Sequence, residues 1–164
     1  MEFSGEFETE MAREELWNYF TDPDVLAECA PGCKEMTLDS PSQIDAVLSV
    51  GVGSVKPTFD VDVTVTQADR PEVLEMVATG ADNRSSFEAV AEMVLVENGG
   101  ATTAEWRAEA NVSGLIASLG QRALGSVTNR LVNDFFENVE AKADDGTEAE
   151  CQLEAEPDAD ASLE

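Results

Sequence analysis

The sequence predicts an α+β fold in which a curved antiparallel β-sheet wraps around one long carboxy-terminal α-helix. Three observations predict it. Two short helical segments follow a first strand, a two-residue hydrophobic period extends from Lys34 to Val112, and a long amphipathic segment covers about Ser113 to Ala143. A sheet with one apolar face needs a cover, and the long helix is the only predicted element large enough to provide it.

A strand and two short helices open the chain. Glu2 to Thr9 predicts the first strand, because its aromatic residues share one parity. Helical spacing then recurs in a segment whose apolar residues are Leu16, Trp17 and Phe20. The second helix has a capping Asp22 and Pro23 at its first position, and Pro31-Gly32 ends it.

About six strands are predicted after the two short helices, in addition to the first strand, and five of them have clear bounds. In each of these five, apolar and polar residues alternate, as in half-buried antiparallel strands. Asn98-Gly99-Gly100 separates the last two strands and is a hairpin signal. The five segments are Gln43–Val52, Phe59–Gln67, Glu72–Thr79, Ser86–Glu97 and Thr102–Val112.

The last predicted element is a single helix of about 30 residues, which would extend on the order of 45 Å. Three glycines within it, Gly114, Gly120 and Gly125, each cost about 1 kcal/mol relative to alanine. Close packing on the sheet or room for a ligand would each explain them. The apolar stripe of the helix is Leu115, Ile116, Leu119, Ala123, Val127, Leu131 and Phe135.

The length of 164 residues and the 43% hydrophobic content predict one domain, residues 1–142, with a self-sufficient core. From residue 143 to 164 the composition becomes strongly acidic with few apolar side chains. This segment is predicted to be a disordered tail.

The charge balance is extreme, with 35 acidic and 9 basic residues and a formal charge of −26. Such a surface repels nucleic acid and anionic lipid headgroups. The charge favours a halophilic protein from a salt-rich cytoplasm, where self-repulsion is screened, over an acidic protein of an ordinary cytoplasm. The amino-terminal sequence does not resemble a secretory signal and no run is long enough to span a membrane, so we expect a soluble cytoplasmic protein.

The segment Cys29-Ala-Pro-Gly-Cys33 could suggest a metal or redox site. We expect no metal there, because the chain has no histidine and only one further cysteine. Pro31 and Gly32 are typical of a turn that leads the chain into the next strand, which favours a structural role for the motif. A second segment, Gly51 to Lys56, resembles a phosphate loop only weakly, and its glycines favour a bend between strands.

Catalytic chemistry has few candidate residues in this chain, and we expect no catalytic site. There is no histidine, and nearly all carboxylates have the polar parity of their strands or helices. Glu75 is the only carboxylate considered for the interior, and an edge-of-sheet position explains it equally well.

A ligand space between the sheet and the long helix is the alternative to a catalytic site, because an apolar sheet face is typical of ligand pockets. The amino-terminal half of the helix is where we expect the ligand. The candidate lining residues are Leu48, Val61, Val63, Met76, Phe87, Trp106, Leu115, Leu119 and Ala123.

Three segments carry a family resemblance: Asp22-Pro-Asp-Val-Leu-Ala-Glu-Cys-Ala-Pro-Gly-Cys33, Val52-Gly-Ser-Val-Lys-Pro-Thr-Phe59, and Val112-Ser-Gly-Leu-Ile-Ala-Ser-Leu-Gly-Gln-Arg122 continuing to Phe135-Phe136. They resemble CoxG, an accessory protein of aerobic carbon monoxide dehydrogenase, in the START-like (SRPBCC) helix-grip superfamily, over about residues 2 to 142. Its acidic composition would make the chain a haloarchaeal-type member.

This resemblance implies a helix-grip fold with an apolar cavity and a non-catalytic accessory role. The partner would be a molybdenum-containing carbon monoxide dehydrogenase or a related hydroxylase, brought to its membrane quinone pool. The cavity would hold a lipophilic quinone, with no tightly bound cofactor. Some relatives have an apolar or basic extension, whereas 144–164 is acidic here, so we expect membrane association only through a partner.

Two functions therefore remain. The first is an accessory binding protein with a lipophilic ligand. The second is an enzyme of the same superfamily, a cyclase or dehydratase acting on an aromatic or polyketide substrate, which would need Glu75 or Tyr19 inside a closed pocket.

Overall fold

The computed structural model describes residues 1–51 and 56–155, which form seven strands, three α-helices and one 3₁₀ turn. The elements in chain order are β1 Glu2–Thr9, α1 Arg13–Phe20, α2 Pro23–Cys29, β2 Cys33–Ser40, β3 Gln43–Ser49, β4 Thr58–Asp69, β5 Val73–Ala81, β6 Ser85–Asn98, β7 Ala101–Gly114, the 3₁₀ turn Leu115–Leu119 and α3 Gly120–Asp144.

The seven strands form one antiparallel sheet in the order β1-β7-β6-β5-β4-β3-β2. Its concave face is apolar, because Ile44, Val63 and Ala78, which lie opposite one another on β3, β4 and β5, all belong to the inward parity. The helix α3 crosses this face. The predicted fold class, a curved antiparallel sheet around a long carboxy-terminal helix with two short helices after the first strand, is confirmed.

The corner between α1 and β2 follows the local sequence. The carboxylate of Asp22 accepts a hydrogen bond from the Asp24 amide at 3.0 Å, and Pro23 occupies the first turn of α2. Gly32 has a φ of 78°, and a Cβ there would lie 2.1 Å from the carbonyl oxygen of Ser49. The chain can therefore enter β2 only with glycine at this position.

The predicted start of the long helix, near Ser113, is wrong. Ser113 and Gly114 belong to β7, Leu115–Leu119 is a 3₁₀ turn, and α3 begins at Gly120. Gly114 and Gly120 have φ values of 84° and 82° with extended ψ, a conformation that is essentially restricted to glycine. Two of the three glycines are therefore explained by breaks in the backbone at either end of the turn.

The predicted apolar stripe of the helix differs from the buried face that the structure shows. The buried side chains of α3 are Leu124, Phe136 and Val139, whereas the stripe residues Ala123, Val127, Leu131 and Phe135 are only half-buried. Apolar side chains fill two adjacent columns of this helix, and the sequence spacing alone does not show which column faces the core.

The prediction of disorder from residue 143 onward is wrong for the described part of the tail, and α3 itself continues to Asp144. The amide of Gln152 donates to the carbonyl oxygen of Thr21 at 2.8 Å, and the amide of Glu154 donates to that of Pro41 at 2.8 Å. Leu153 is 2% exposed and belongs to the main core. One buried leucine and these backbone bonds order the segment despite its acidic composition. Residues 52–55 and 156–164 lie outside the described residues. The first of these ranges includes the predicted end of the Gln43–Val52 strand and most of the 51–56 segment, for which a bend was predicted.

Candidate functional site

The concave side of the sheet is packed in two separate hydrophobic clusters. The larger cluster lies around α1, α2 and the carboxy-terminal half of α3, and it contains Trp17, Phe20 and Phe136. The smaller one consists of Phe59, Val61 and Ile116 with the partly buried side chains around them. Among the residues that the structure describes, Val63 alone packs against both clusters, so the apolar interior is divided in the middle of the sheet.

The floor between the two clusters is formed by small residues. Ala78 lies opposite Ala89 in the register of β5 and β6, and Ala91 lies opposite Met76 on one side and Ala108 on the other. Ala91 is exposed, and the three other alanines and Met76 are half-buried. They nevertheless lie on the face of the sheet that carries the core residues Leu74 and Leu95. The centre of the concave face is therefore open to solvent.

Two side-chain hydrogen bonds orient one side of α3. The guanidinium of Arg130 donates to the carbonyl oxygen of Gly51 at 3.3 Å, and the side-chain amide of Asn138 donates to the carbonyl oxygen of Cys29 at 2.9 Å. Residues three, four or seven positions apart share a helix face, so this side of α3 looks toward the carboxy-terminal ends of α2 and β3. The half-buried side chains of Val127 and Leu131 lie on the same side. We call the space between this helix face and the alanine floor the apolar groove.

The nine predicted lining residues are distributed over three places. Met76 and Trp106 pack against the main core, at one edge of the groove, and Val63 packs against both clusters. Leu48, Val61 and Phe87 belong to the smaller cluster at the other edge. Leu115 and Leu119 lie in the 3₁₀ turn, Leu115 being 36% exposed, and Ala123 is on the first turn of α3.

Sequence reasoning missed the alanine floor and the two helix residues Val127 and Leu131 as lining candidates. The signal was present, since Ala89 and Ala91 alternate with polar or β-branched neighbours, as Ala108 and Ala110 do on the next strand. The predicted lining residues are mostly bulky, with Ala123 as the one alanine among them. Small side chains, however, are what leaves space between a sheet and a helix.

The cleft of about 760 Å³ next to the ends of β1 and α3 is a different feature. Five carboxylates line it, and it contains none of the nine predicted lining residues. Its acidic residues are Glu8, Glu10, Glu15, Glu140 and Asp144. This cleft does not suit an apolar ligand, because binding would remove water from the carboxylates that line it, at a cost in free energy.

Glu75 lies outside the groove, so it is not the interior carboxylate that the sequence suggested. Its neighbours Leu74 and Met76 belong to the concave side, which places Glu75 on the convex face opposite Glu92. There its carboxylate accepts a hydrogen bond from the hydroxyl of Thr66 at 2.8 Å. Val73 and Val77, whose parity suggested burial, lie on the same convex face, because a sheet can carry valines on both sides.

Tyr19 is buried in the main core and its hydroxyl donates to the carbonyl oxygen of Thr147. Burial, followed by the nearby charges of Glu15 and Glu148, raises the pKa of this phenol above its usual value. The phenol is therefore neutral, and its hydrogen bond to the backbone of Thr147 supports the packing of the tail.

The two cysteines of the 29–33 segment are free thiols. Burial raises the pKa of Cys29, which is opposed in part by Lys142, and burial also raises that of Cys33. Raised values reduce the thiolate fraction and hence the reactivity of both groups. Within residues 1–51 and 56–155, no three His, Cys, Asp or Glu side chains are grouped as metal ligands would be.

In those same two stretches, no helix combines the length and the apolar character that crossing a membrane requires.

Comparison with solved structures supports the fold. A conserved protein from Geobacillus kaustophilus is 29% identical, with 87% of this chain and 94% of that chain covered and a TM-score of 0.82. A START superfamily protein from Mycobacterium smegmatis matches over 88% of this chain and 97% of its own, at 11% identity and a TM-score of 0.67. The protein TTHA0849 from Thermus thermophilus matches over 86% and 98%, at 12% identity and a TM-score of 0.62.

No curated protein is significantly similar to this chain. The model of one family, the carbon monoxide dehydrogenase subunit CoxG, matches residues 5–144. This match begins within β1, takes in the other strands, the 3₁₀ turn and α3, and ends where α3 ends. The chain therefore belongs to the CoxG family of carbon monoxide dehydrogenase, a family of accessory subunits, and has the START-like fold.

Proposed function

We propose that this protein is a non-catalytic accessory protein of a molybdenum-type carbon monoxide dehydrogenase that holds a lipophilic molecule, a quinone, in the apolar groove. The observation that carries the proposal is that Ala91 is exposed, although its position on β6 has the same parity as the core residue Leu95. An exposed apolar floor beneath a helix is unfavourable in an empty protein and becomes favourable when an apolar ligand covers it.

The shape of the groove suits a flat ring. Alanine side chains form the floor, and Trp106 and Phe87 stand at opposite edges of it. Aromatic side chains beside a planar conjugated ligand offer stacking or edge contacts, worth about 0.5–1.5 kcal/mol each beyond the area they bury. Val127 and Leu131 of α3 would lie over the ligand.

An enzymatic alternative, a cyclase or dehydratase, receives no support from the described residues. The inward positions of β3 to β7 that surround the groove are apolar, and Glu75 lies on the other face of the sheet. Acid–base catalysis needs a titratable group within hydrogen-bond reach of the substrate.

Quinone binding can be tested by fluorescence, because the chain has two tryptophans and Trp106 borders the groove. In a Trp17→Phe background, a naphthoquinone with a short isoprenoid tail should quench the emission of Trp106 in a saturable way. Ala91→Leu should weaken this binding at least ten-fold, because the added side chain fills the floor.

Val90→Leu is the matched control, because the neighbouring residue points to the convex face and should leave quenching unchanged. Equal binding by the Ala91→Leu and Val90→Leu variants would place the quinone elsewhere. Extraction of native protein from its own host, followed by mass spectrometry, should return a lipophilic molecule. Its repeated absence would leave only the role of a docking adaptor.

A further inference from the structure

The described part of the tail, 145–155, lies against the domain in the manner of an extended peptide. From 147 to 154 its residues alternate between partly or fully buried and exposed. Ala149, Cys151 and Leu153 are the inward residues that pack with the main core. A period of two, with alternate side chains turned inward, is typical of an extended chain on an apolar surface. The tail therefore contacts the domain as a bound peptide would.

Three backbone amides, at alternate positions of the tail, donate hydrogen bonds to the domain. They are those of Glu150 to Oδ2 of Asp22 at 3.0 Å, of Gln152 to the carbonyl oxygen of Thr21 at 2.8 Å, and of Glu154 to the carbonyl oxygen of Pro41 at 2.8 Å. Main-chain bonds do not depend on the side chains of the peptide, so an extended segment of another sequence could form them as well. We call the surface formed by Tyr19, Thr21, Asp22 and Pro41 the tail site.

The charges of the tail oppose its own position. Glu148 and Glu150 line a pocket of about 480 Å³ together with Glu15, and none of the described residues around this pocket is basic. Burial, and then the charges of Glu15 and Glu148, raise the pKa of the Tyr19 phenol, so both carboxylates act on the same hydroxyl. Like charges that share a pocket repel one another. The tail is therefore held by its backbone bonds and by Leu153, against this repulsion.

Two basic side chains near the tail site already have partners. Lys142 forms an ion pair with Glu28, and Arg70 donates to the side-chain oxygen of Asn18 at 3.2 Å. From residue 143 onward the chain itself has no lysine or arginine. A peptide that presents positive charges where the tail presents carboxylates would keep the backbone bonds and replace repulsion by attraction.

We propose that the tail site is a peptide-binding site, occupied here by the chain's own tail, for an extended segment of a partner protein in which apolar residues alternate with lysine or arginine. Backbone hydrogen bonds and pockets for alternate side chains are how extended peptides are recognised. The anchor of the segment takes the place of Leu153 in the main core. Because the tail is tethered, it competes at an effective concentration on the order of millimolar, so only a segment that binds better than the tail displaces it.

The test is fluorescence anisotropy of labelled peptides with the full chain, under a thiol reductant and at the lowest KCl concentration at which its far-UV circular dichroism is native. The first peptide is 147–155 with Glu148→Lys, Glu150→Lys and Glu154→Lys. It should bind about ten-fold or more tightly than the peptide of native sequence, because its charges are complementary to the site. The matched control adds Leu153→Ser to the basic peptide, which keeps every charge but removes the anchor, and it should bind about ten-fold or more weakly.

Variants of the protein test whether the tail competes. Leu153→Ala in the full chain loosens the tail and should tighten binding of the basic peptide about ten-fold, because a larger fraction of the sites is open. Glu154→Pro, which removes one of the three amides without touching the core, should act in the same direction. Leu115→Ala shortens an exposed leucine outside the tail site and should bind like the wild type.

Hydrogen exchange locates the bound peptide. Binding of the basic peptide to the wild type should speed exchange of the amides in 149–155, because the tail is displaced. Unchanged exchange there, equal binding of the two basic peptides, or no binding even to the Leu153→Ala chain would overturn the proposal. Equal binding of the native acidic peptide would overturn the charge preference and indicate exchange of tails between copies of the chain. No quinone is present, so these results are independent of the fluorescence test of the apolar groove.

Discussion

The backbone amide of Gln152 donates to the carbonyl oxygen of Thr21 at 2.8 Å, which fastens the acidic tail to the corner between α1 and α2. The side chain of Asp22 at the same corner accepts hydrogen bonds from the amide of Glu150 at 3.0 Å and from the side chain of Gln152 at 3.3 Å. The tail is thus a structural part of the domain, although it lies beyond the segment that matches the family.

Leu153→Ala should lower the free energy of unfolding by about 2–5 kcal/mol, because the leucine is buried and its removal leaves a cavity in the main core. Urea denaturation measures the change. Leu115→Ala, which shortens an exposed leucine, should cost less than about 1 kcal/mol. Equal losses in the two variants would mean that Leu153 does not occupy the core.

The two glycines that border the 3₁₀ turn should differ in their tolerance of alanine. Both have positive φ, so Gly120→Ala should cost about 1–3 kcal/mol for the backbone alone. At Gly114 an added Cβ would also lie 2.0 Å from the carbonyl oxygen of Arg84, whereas at Gly120 it would meet nothing within 4 Å. Thermal unfolding should therefore show a larger loss of stability for Gly114→Ala, and the reverse order would contradict the backbone geometry at the two ends of the turn.

The two columns of α3 should respond differently to a charge. Val139 is fully buried, so Val139→Asp should prevent cooperative folding. Val127 is half-buried beside the groove, so Val127→Asp should destabilise less and should abolish naphthoquinone quenching in the Trp17→Phe background. Cooperative melting of the Val139→Asp protein at the wild-type temperature would show that the helix face is assigned incorrectly.

The strand pattern and the helix-grip topology could be predicted because alternation and helical spacing extend over many residues. The start of α3 could not, since Leu115, Ile116 and Leu119 have helical spacing and only the backbone angles at Gly114 and Gly120 reveal the break. In the tail, a single leucine outweighs the acidic composition because it fills a place in the core. The groove was predicted as a region, while its floor depends on cross-strand register, which alternation does not give.

Asp45 gives the stability a pH dependence. Side-chain hydrogen bonds with Asp39 and then Asp62 raise its pKa to about 7 from 3.8. The folded state therefore binds more protons than the unfolded state between these values, so this contribution is present at low pH and is lost as the pH rises through about 7. Asp45→Asn should raise the melting temperature at pH 8 and change it less at pH 5. Glu88→Gln, which removes an exposed carboxylate elsewhere, is the control, and its effect on the melting temperature should be similar at both pH values. An equal effect of Asp45→Asn at pH 5 and at pH 8 would rule out the raised pKa.

Folding should depend on salt, because the charge of −26 opposes a compact state in dilute buffer. In molar KCl the Debye length falls to about 3 Å, which screens repulsion between neighbouring carboxylates such as those of the acidic cleft. Far-UV circular dichroism should therefore show incomplete structure in dilute buffer and full structure in molar KCl. Sucrose, which favours compact states without screening charge, should restore less structure than KCl at matched osmolality. Complete folding in dilute buffer would mean that the bonds of the tail and the two clusters outweigh the repulsion, and it would count against a halophilic origin.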